Sequence, residues 1–148
     1  MISDTHGLLR PQVKSILMGS QLIIHAGDIG DPSIVDELQD IAPVTAVRGN
    51  IDQGSWSFKF PEYDVVSFGE NLIYILHDLQ ELDIDPKAVG FAVVVCGHSH
   101  RAKNEVRSGV LYFNPGSAGP RRFSLPITVG KLFVNGEKVH GKIFEINP

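Results

Sequence analysis

The chain has 148 residues, one cysteine and a formal net charge of −4, and 43% of its residues are hydrophobic. This length suits a single domain with its own hydrophobic core, and the sequence carries no basic tract of the kind that forms a nucleic-acid footprint. A single cysteine excludes an internal disulfide framework. No apolar stretch approaches the ~20 residues of a membrane span, and no signal-peptide pattern opens the sequence. We therefore expect a cytoplasmic protein without membrane association.

The first half of the sequence alternates short apolar runs with amphipathic segments. Strands are predicted at residues 1–3, 21–26 and 44–47. Proline opens a predicted helix at residues 11–18. Residues 32–41 repeat apolar side chains at helical spacing, and Asp31 is a candidate cap for that helix. The alternation of strand and helix is typical of a parallel sheet with right-handed crossovers.

The second half of the sequence is richer in predicted strands. They lie at residues 63–68, 72–76, 91–96, 105–106, 111–113, 128–134 and 138–145, with a short helix at 86–89. Asn135-Gly136 is a strong hairpin signal between the last two strands. We predict an α/β fold in which two mixed β-sheets pack face to face with helices outside. This four-layer α/β/β/α sandwich would form one domain over residues 1–148.

Seven side chains with oxygen or nitrogen donors follow five of the predicted strands: Asp4, His6, Asp28, Asn50, His77, His98 and His100. Each alone has an ordinary structural explanation, such as a helix cap, a turn residue or a hydrogen-bonded loop histidine. Open α/β sheets bind ligands at the carboxyl ends of their strands, so one shared site explains all seven together. Seven ligands exceed one tetrahedral zinc site and fit two divalent metal ions. Mn, Fe, Zn, Ni and Co all suit this donor set.

The order of these motifs resembles that of the calcineurin-like metallophosphoesterases. Segments 2–7, 47–52 and 114–122 resemble the YfcE-like bacterial and archaeal phosphodiesterase branch, and the resemblance covers essentially the whole chain. It implies one metal ion on Asp4, His6, Asp28 and His100, and a second on Asp28, Asn50, His77 and His98. Asp28 would bridge the two ions, for which Mn²⁺ is favoured. A hydroxide between the ions would attack phosphorus in line.

The resemblance also assigns roles around the metal ions. The catalytic residues would be Asp28, Asn50, His98 and Asp52, with Asp52 orienting a ligand histidine. Candidates for binding the substrate phosphate are Arg48, Asn50 and Arg121. Many relatives carry a histidine directly after the motif asparagine, where this chain has Ile51. Isoleucine cannot transfer a proton, which predicts a preference for good leaving groups.

Four further features leave alternatives open. Asp78 follows His77 where relatives usually have glycine, and it either narrows the cleft or is a solvated loop residue. Relatives begin several residues earlier, so the first strand is expected to be either truncated or minimal. The aromatic residues at positions 56, 58 and 60 form either an ordinary core element or an exposed apolar cap or dimer contact. His25 is either a purely structural histidine or a support for a ligand loop.

The predicted function is that of a dinuclear metal-dependent phosphodiesterase. A phosphomonoesterase with the same mechanism is one alternative. A non-catalytic protein-binding scaffold of the same fold, such as the retromer subunit, is another. All seven ligand positions are filled, which favours an enzyme. The expected partners are a phosphodiester substrate and further copies of the chain, in a homodimer or homotetramer.

Overall fold

The structure is a computed structural model that describes residues 1–147. Its α-helices are α1 (Pro11–Leu17), α2 (Ser33–Gln39) and α3 (Pro86–Val89), and two 3₁₀ helices cover Ser55–Lys59 and Leu79–Glu81. The strands are β1 (Ile23–His25), β2 (Val44–Ala46), β3 (Tyr63–Phe68), β4 (Asn71–Leu76), β5 (Val93–Val95), β6 (Lys103–Arg107), β7 (Val110–Asn114), β8 (Ile127–Asn135) and β9 (Lys138–Ile146). The predicted elements are present, and their boundaries differ from the prediction by at most two residues.

The first sheet is assembled around residues 1–3. Strands β1 and β2 are parallel, and β8 and β9 form an antiparallel hairpin. Residues 1–3 lie between these pairs: the Ile2 N–H donates to the Ile24 carbonyl at 2.9 Å, and the Gly130 N–H donates to the Met1 carbonyl at 3.0 Å. The predicted first strand therefore exists as a short central element with a parallel bridge to β1.

The second sheet has the strand order β3-β4-β5-β7-β6. Its three central strands run parallel, whereas β3 and β6 are antiparallel edge strands. Valine fills all three positions of β5, and all three are buried. Such a run of β-branched side chains is typical of a strand covered on both faces.

Three apolar clusters separate four layers. In the first cluster, Leu17 on α1 and Leu38 on α2 pack against the first sheet. The second cluster fills the space between the sheets and includes Val95 and Phe113, which are fully buried. The third covers the outer face of the second sheet with the 3₁₀ segment and loop around Leu79. The predicted α/β/β/α architecture is confirmed, with one outer layer made only of short helical turns.

Two local features have the following structure. The aromatic segment contains the 3₁₀ helix Ser55–Lys59. Trp56 in this helix and Phe60 after it pack against the first cluster, whereas Phe58 stays 77% exposed. Ser33 is the first residue of α2, and its N–H donates a hydrogen bond to Asp31 Oδ1 at 2.8 Å. The aspartate therefore satisfies one of the free N–H groups of the first helical turn, as expected for a cap.

Candidate metal centre

The seven predicted ligands meet at one edge of the sandwich. Asp4 and His6 follow residues 1–3, and the remaining ligands follow β1, β2, β4 and β5. These strands belong to both sheets, and their carboxyl ends point to the same edge. The loops after them therefore converge on one site, as in other open α/β sheets.

One donor group is formed by Asp4, His6, Asp28 and His100, whose ligand atoms all lie within 4.8 Å of one another. His100 Nε2 lies 3.3 Å from Asp4 Oδ1. His6 Nε2 lies 3.4 Å from His100 Nε2 and 3.7 Å from Asp28 Oδ2. This is the set of residues that the resemblance implied for the first metal ion.

A second donor group lies on the other side of Asp28. Asn50 Oδ1 is 3.2 Å from His77 Nε2 and 3.1 Å from His98 Nδ1. His77 Nε2 is in turn 3.3 Å from Asp28 Oδ1. The carboxylate of Asp28 thus presents Oδ2 to the first group and Oδ1 to the second, and it would be able to hold an ion in each.

The hydrogen bonding of Asp4 and His77 suits a bound cation. Asp4 Oδ1 is buried and has no hydrogen-bond partner, whereas Asp4 Oδ2 accepts from Ser3 Oγ at 2.7 Å and from the His98 N–H at 3.2 Å. A buried carboxylate oxygen without a partner is costly, and a divalent cation among these donors would satisfy it. The Ala26 carbonyl can only accept, so His77 donates through Nδ1 at 2.7 Å. In the neutral ring Nε2 then carries a lone pair directed at the site.

Electrostatics keep the carboxylate of Asp28 ionised. Burial alone would lower the pKa of His77 and raise that of Asp28. The hydrogen bond and the charge attraction between the two residues outweigh burial, so the pKa of His77 is raised and the pKa of Asp28 is lowered. Metal ligands must be deprotonated, and Asp28 is already in that form.

Backbone strain is concentrated at the ligands. Five of the seven have φ angles in the left-handed region: 55° at Asp4, 47° at His6, 54° at Asp28, 66° at His98 and 57° at His100. This conformation is uncommon for residues other than glycine. Strained backbone persists where the surrounding structure fixes it, and such positions cluster at functional sites.

Glycine allows the ligand loops to approach one another. A Cβ atom on Gly27, whose φ is +96°, would lie 2.6 Å from His77 Nδ1. A Cβ atom on Gly49 would collide with the carboxylate of Asp28. The glycines beside Asp28 and Asn50 are therefore required by the close approach of backbone to ligand.

Asp52 does not have the predicted role. Within residues 1–147 its carboxylate contacts no ligand histidine. It instead accepts hydrogen bonds from the backbone N–H groups of Gly49 at 2.8 Å, Ile29 at 3.0 Å and Gly30 at 2.9 Å. Asp52 therefore fastens the loop of Asn50 to the loop of Asp28, so it positions ligand loops rather than a histidine ring.

His25 supports the ligand loops from below. It is fully buried, and burial lowers its pKa to about 3, so the ring is neutral. Its Nδ1 accepts from the Gly27 N–H at 3.2 Å, which leaves Nε2 to donate to Thr5 Oγ1 at 2.9 Å. Thr5 lies between Asp4 and His6, so His25 joins their loop to that of Asp28. A histidine before the Gly-Asp motif was the only sequence signal for this role.

The predicted phosphate-binding arginines differ in position. Arg48 donates to the Phe60 carbonyl and to Glu62, both at 2.9 Å, so its guanidinium is held by these two partners, and its role in binding phosphate stays a prediction. Arg121 and Arg122 are exposed on the loop after Gly119. Burial lowers the pKa of His6, and the positive charge of Arg122 adds to this effect.

Asp78 belongs to the site. Its Oδ2 lies 3.7 Å from His98 Nε2, and its Oδ1 accepts from the Gln80 N–H at 3.0 Å. This resolves the alternative in favour of an aspartate at the cleft wall. The neighbouring ring nitrogen, His98 Nδ1, remains directed at Asn50.

The sequence profile of one family, the calcineurin-like phosphoesterase superfamily domain, matches residues 1–137. The chain belongs to this superfamily. A curated relative, a probable metallophosphoesterase of Methanothermobacter thermautotrophicus, is 32% identical over 97% of this chain and 89% of its own length. Both findings support a phosphoesterase that binds divalent metal ions, and they confirm the family that the motifs predicted.

Solved structures confirm the fold of this phosphoesterase. An archaeal phosphodiesterase superposes with a TM-score of 0.81 at 22% identity, covering 97% of both chains. Vps29 of Entamoeba histolytica, solved in complex with zinc, gives a TM-score of 0.74 at 22% identity and covers 99% of this chain and 97% of its own. Within residues 1–147, no helix is long and apolar enough to cross a membrane.

Proposed function

We propose that the protein is a dinuclear metal-dependent phosphodiesterase that works with Mn²⁺. The observation that carries the proposal is the position of Asp28, whose two carboxylate oxygens face two separate donor groups. Asp4, His6 and His100 would complete one site. Asn50, His77 and His98 would complete the other, and their nitrogen and oxygen donors without thiolate suit Mn²⁺.

The protein's residues would prepare a phosphate ester for attack by water. When bound, the two metal ions would acidify water and neutralise charge that develops at phosphorus. The amide of Asn50 and the ring of His98 lie side by side at the open face of the second group, with His98 45% exposed. They would contact a phosphate oxygen there, and Arg121 and Arg122 would bind the phosphate from the rim with the bidentate geometry that guanidinium allows.

A diester is preferred over a monoester in this proposal because no proton donor follows Asn50. Ile51 is 40% exposed at the site, and its N–H donates to Asp28 Oδ1 at 3.1 Å. A leaving group must then depart without help from that position. The similar fold of an archaeal phosphodiesterase is consistent with this preference.

A protein-binding scaffold is the second candidate. Vps29 shares the fold, and two phenylalanines are largely exposed, Phe58 at 77% and Phe123 at 92%. Exposed apolar side chains are common contact residues. The complete set of ligands weighs against a scaffold that has lost its chemistry.

The test is hydrolysis of bis(p-nitrophenyl) phosphate and of p-nitrophenyl phosphate, with Mn²⁺ and with EDTA. We expect turnover of the diester that requires Mn²⁺ and exceeds turnover of the monoester. Asp28→Asn should abolish it, whereas Asp40→Asn, an equal change at an exposed aspartate, should leave it intact. Absence of turnover with every divalent ion would reject the enzyme and favour the scaffold.

Two further expectations concern the molecule's setting. We propose that the phosphoesterase acts in the cytoplasm, which its single buried thiol, Cys96, supports. We also propose that it forms a homodimer or homotetramer, for which the exposed side chain of Phe58 is a candidate contact. Light scattering of the purified protein would measure the assembly directly.

A further inference from the structure

A cavity of about 470 Å³ continues from the second donor group, and we name it the His98 pocket. Its lining follows the strand order of the second sheet: Gln80 comes after β4, Cys96, Gly97 and His98 come after β5, and Arg101 and Lys103 lie just before and at the start of the edge strand β6. This volume is within the range of small-molecule sites and suits one organic group of about nucleoside size.

The charged groups of the pocket lie at different strands of the second sheet. Asp78 follows β4, and its Oδ2 is 3.7 Å from His98 Nε2. Arg101 and Lys103 line the pocket at the edge strand β6, which is separated from β4 by β5 and β7. Lys103 Nζ forms an ion pair with Glu105 Oε2 at 3.4 Å, whereas Arg101 forms no ion pair within residues 1–147. An exposed guanidinium without a carboxylate is available for an anion.

Neutral groups add hydrogen-bond donors but no negative charge. Ser99 Oγ accepts from the Arg101 N–H at 3.3 Å and from Asn114 Nδ2 at 3.2 Å, so its own hydroxyl hydrogen is left to donate. Cys96, which also lines the pocket, is 3% exposed, and burial raises the pKa of its thiol to about 11. The part of the pocket lined by Ser99, Arg101 and Lys103 therefore offers an anion hydrogen-bond donors and positive charge.

We propose that the His98 pocket binds one ester group of the substrate and selects an ester group that carries a further phosphate. This inference rests on the proposed function, because the scissile phosphate would lie at the donor groups. The second phosphate would then reach Arg101, with Lys103 and the Ser99 hydroxyl beside it. The substrate class is a phosphodiester of a phosphorylated alcohol, such as a nucleoside bisphosphate unit.

Calorimetric binding of two nucleotides tests the pocket without turnover. Thymidine 5′-phosphate and thymidine 3′,5′-bisphosphate differ only by the second phosphate. We expect the bisphosphate to bind the protein roughly tenfold more tightly, as one charge-assisted guanidinium contact provides. Arg101→Gln should remove this advantage. Arg107→Gln, an equal charge loss on exposed β6 outside the pocket, should preserve it.

The titrations are repeated with Mn²⁺ and with EDTA. Failure of the pocket proposal can then be distinguished from failure of the proposed metal-dependent function. The advantage of the second phosphate should persist with EDTA because it comes from protein groups. Equal affinities for the two nucleotides, or equal effects of both substitutions, would contradict the proposal that the His98 pocket binds a second phosphate. A persistent bisphosphate advantage without any effect of Mn²⁺ on nucleotide binding would support the pocket and count against the metal-dependent function.

Discussion

At the scale of single residues, the proposed chemistry depends on the carboxylate of Asp28 and its neighbours. Asp28 is ionised because His77 stabilises its charge, and His77 is oriented because the Ala26 carbonyl fixes its tautomer. Ile51 also contacts Asp28, but only through its backbone N–H, which donates a hydrogen bond to Asp28 Oδ1. The site therefore has abundant metal ligands and no acid at the position after Asn50.

Replacing Ile51 should supply that acid. For aryl phosphodiesters with poor leaving groups, Ile51→His should raise the rate at least ~10-fold and weaken its dependence on leaving-group pKa, because general acids contribute on this scale or above. The side chain is partly exposed, so a histidine fits. Ile51→Gln is the control, since glutamine is polar but transfers no proton. Equal leaving-group dependence in all three proteins would contradict the argument.

The residue scale also shows what sequence could predict. The convergence of the seven donor side chains was predicted because each follows a strand, and strand ends are visible in the apolar pattern. The hydrogen-bond partners of Arg48 and Asp52 were not predicted because they are backbone groups and a distant glutamate. Such partners are set by how loops pack, which neighbouring residues in the sequence do not reveal.

At the scale of elements, the loops after the strands are rigid because they are cross-connected. Asp52 joins two loops, and His25 joins another pair. The strained φ angles of five ligands depend on this bracing. The alternation of strands and helices predicted the layers, but the extent of each strand and the 3₁₀ form of Ser55–Lys59 depended on tertiary contacts.

Two glycine substitutions distinguish the energetic cost of a steric clash from the cost of a left-handed backbone conformation. Gly27→Ala places a Cβ atom 2.6 Å from His77 Nδ1 at φ +96°. Gly19→Ala, at φ +77°, meets nothing within 4 Å. We expect Gly19→Ala to lower the free energy of unfolding by about 1–2 kcal/mol through the left-handed backbone alone. Gly27→Ala should cost clearly more because the clash is added. Equal losses by chemical denaturation would show that the loops do not need this contact.

At the scale of the whole molecule, two sheets and three apolar clusters support one polar edge. The clusters hold the two sheets so that the carboxyl ends of their strands lie together. Donor atoms of residues that are distant in the sequence therefore lie within a few ångströms of one another. A net charge of −4 leaves no general attraction for polyanions. Selectivity for a phosphate ester therefore has to come from the metal centre and the cationic side chains around it.

The most direct test of this account is metal stoichiometry, measured by elemental analysis after dialysis against Mn²⁺. The two donor groups predict two ions per chain in the wild-type protein. Asp28→Asn should weaken both sites because the residue serves both groups, whereas Asp40→Asn should keep two ions. One ion per chain, or two ions that persist in Asp28→Asn, would contradict a centre bridged by Asp28.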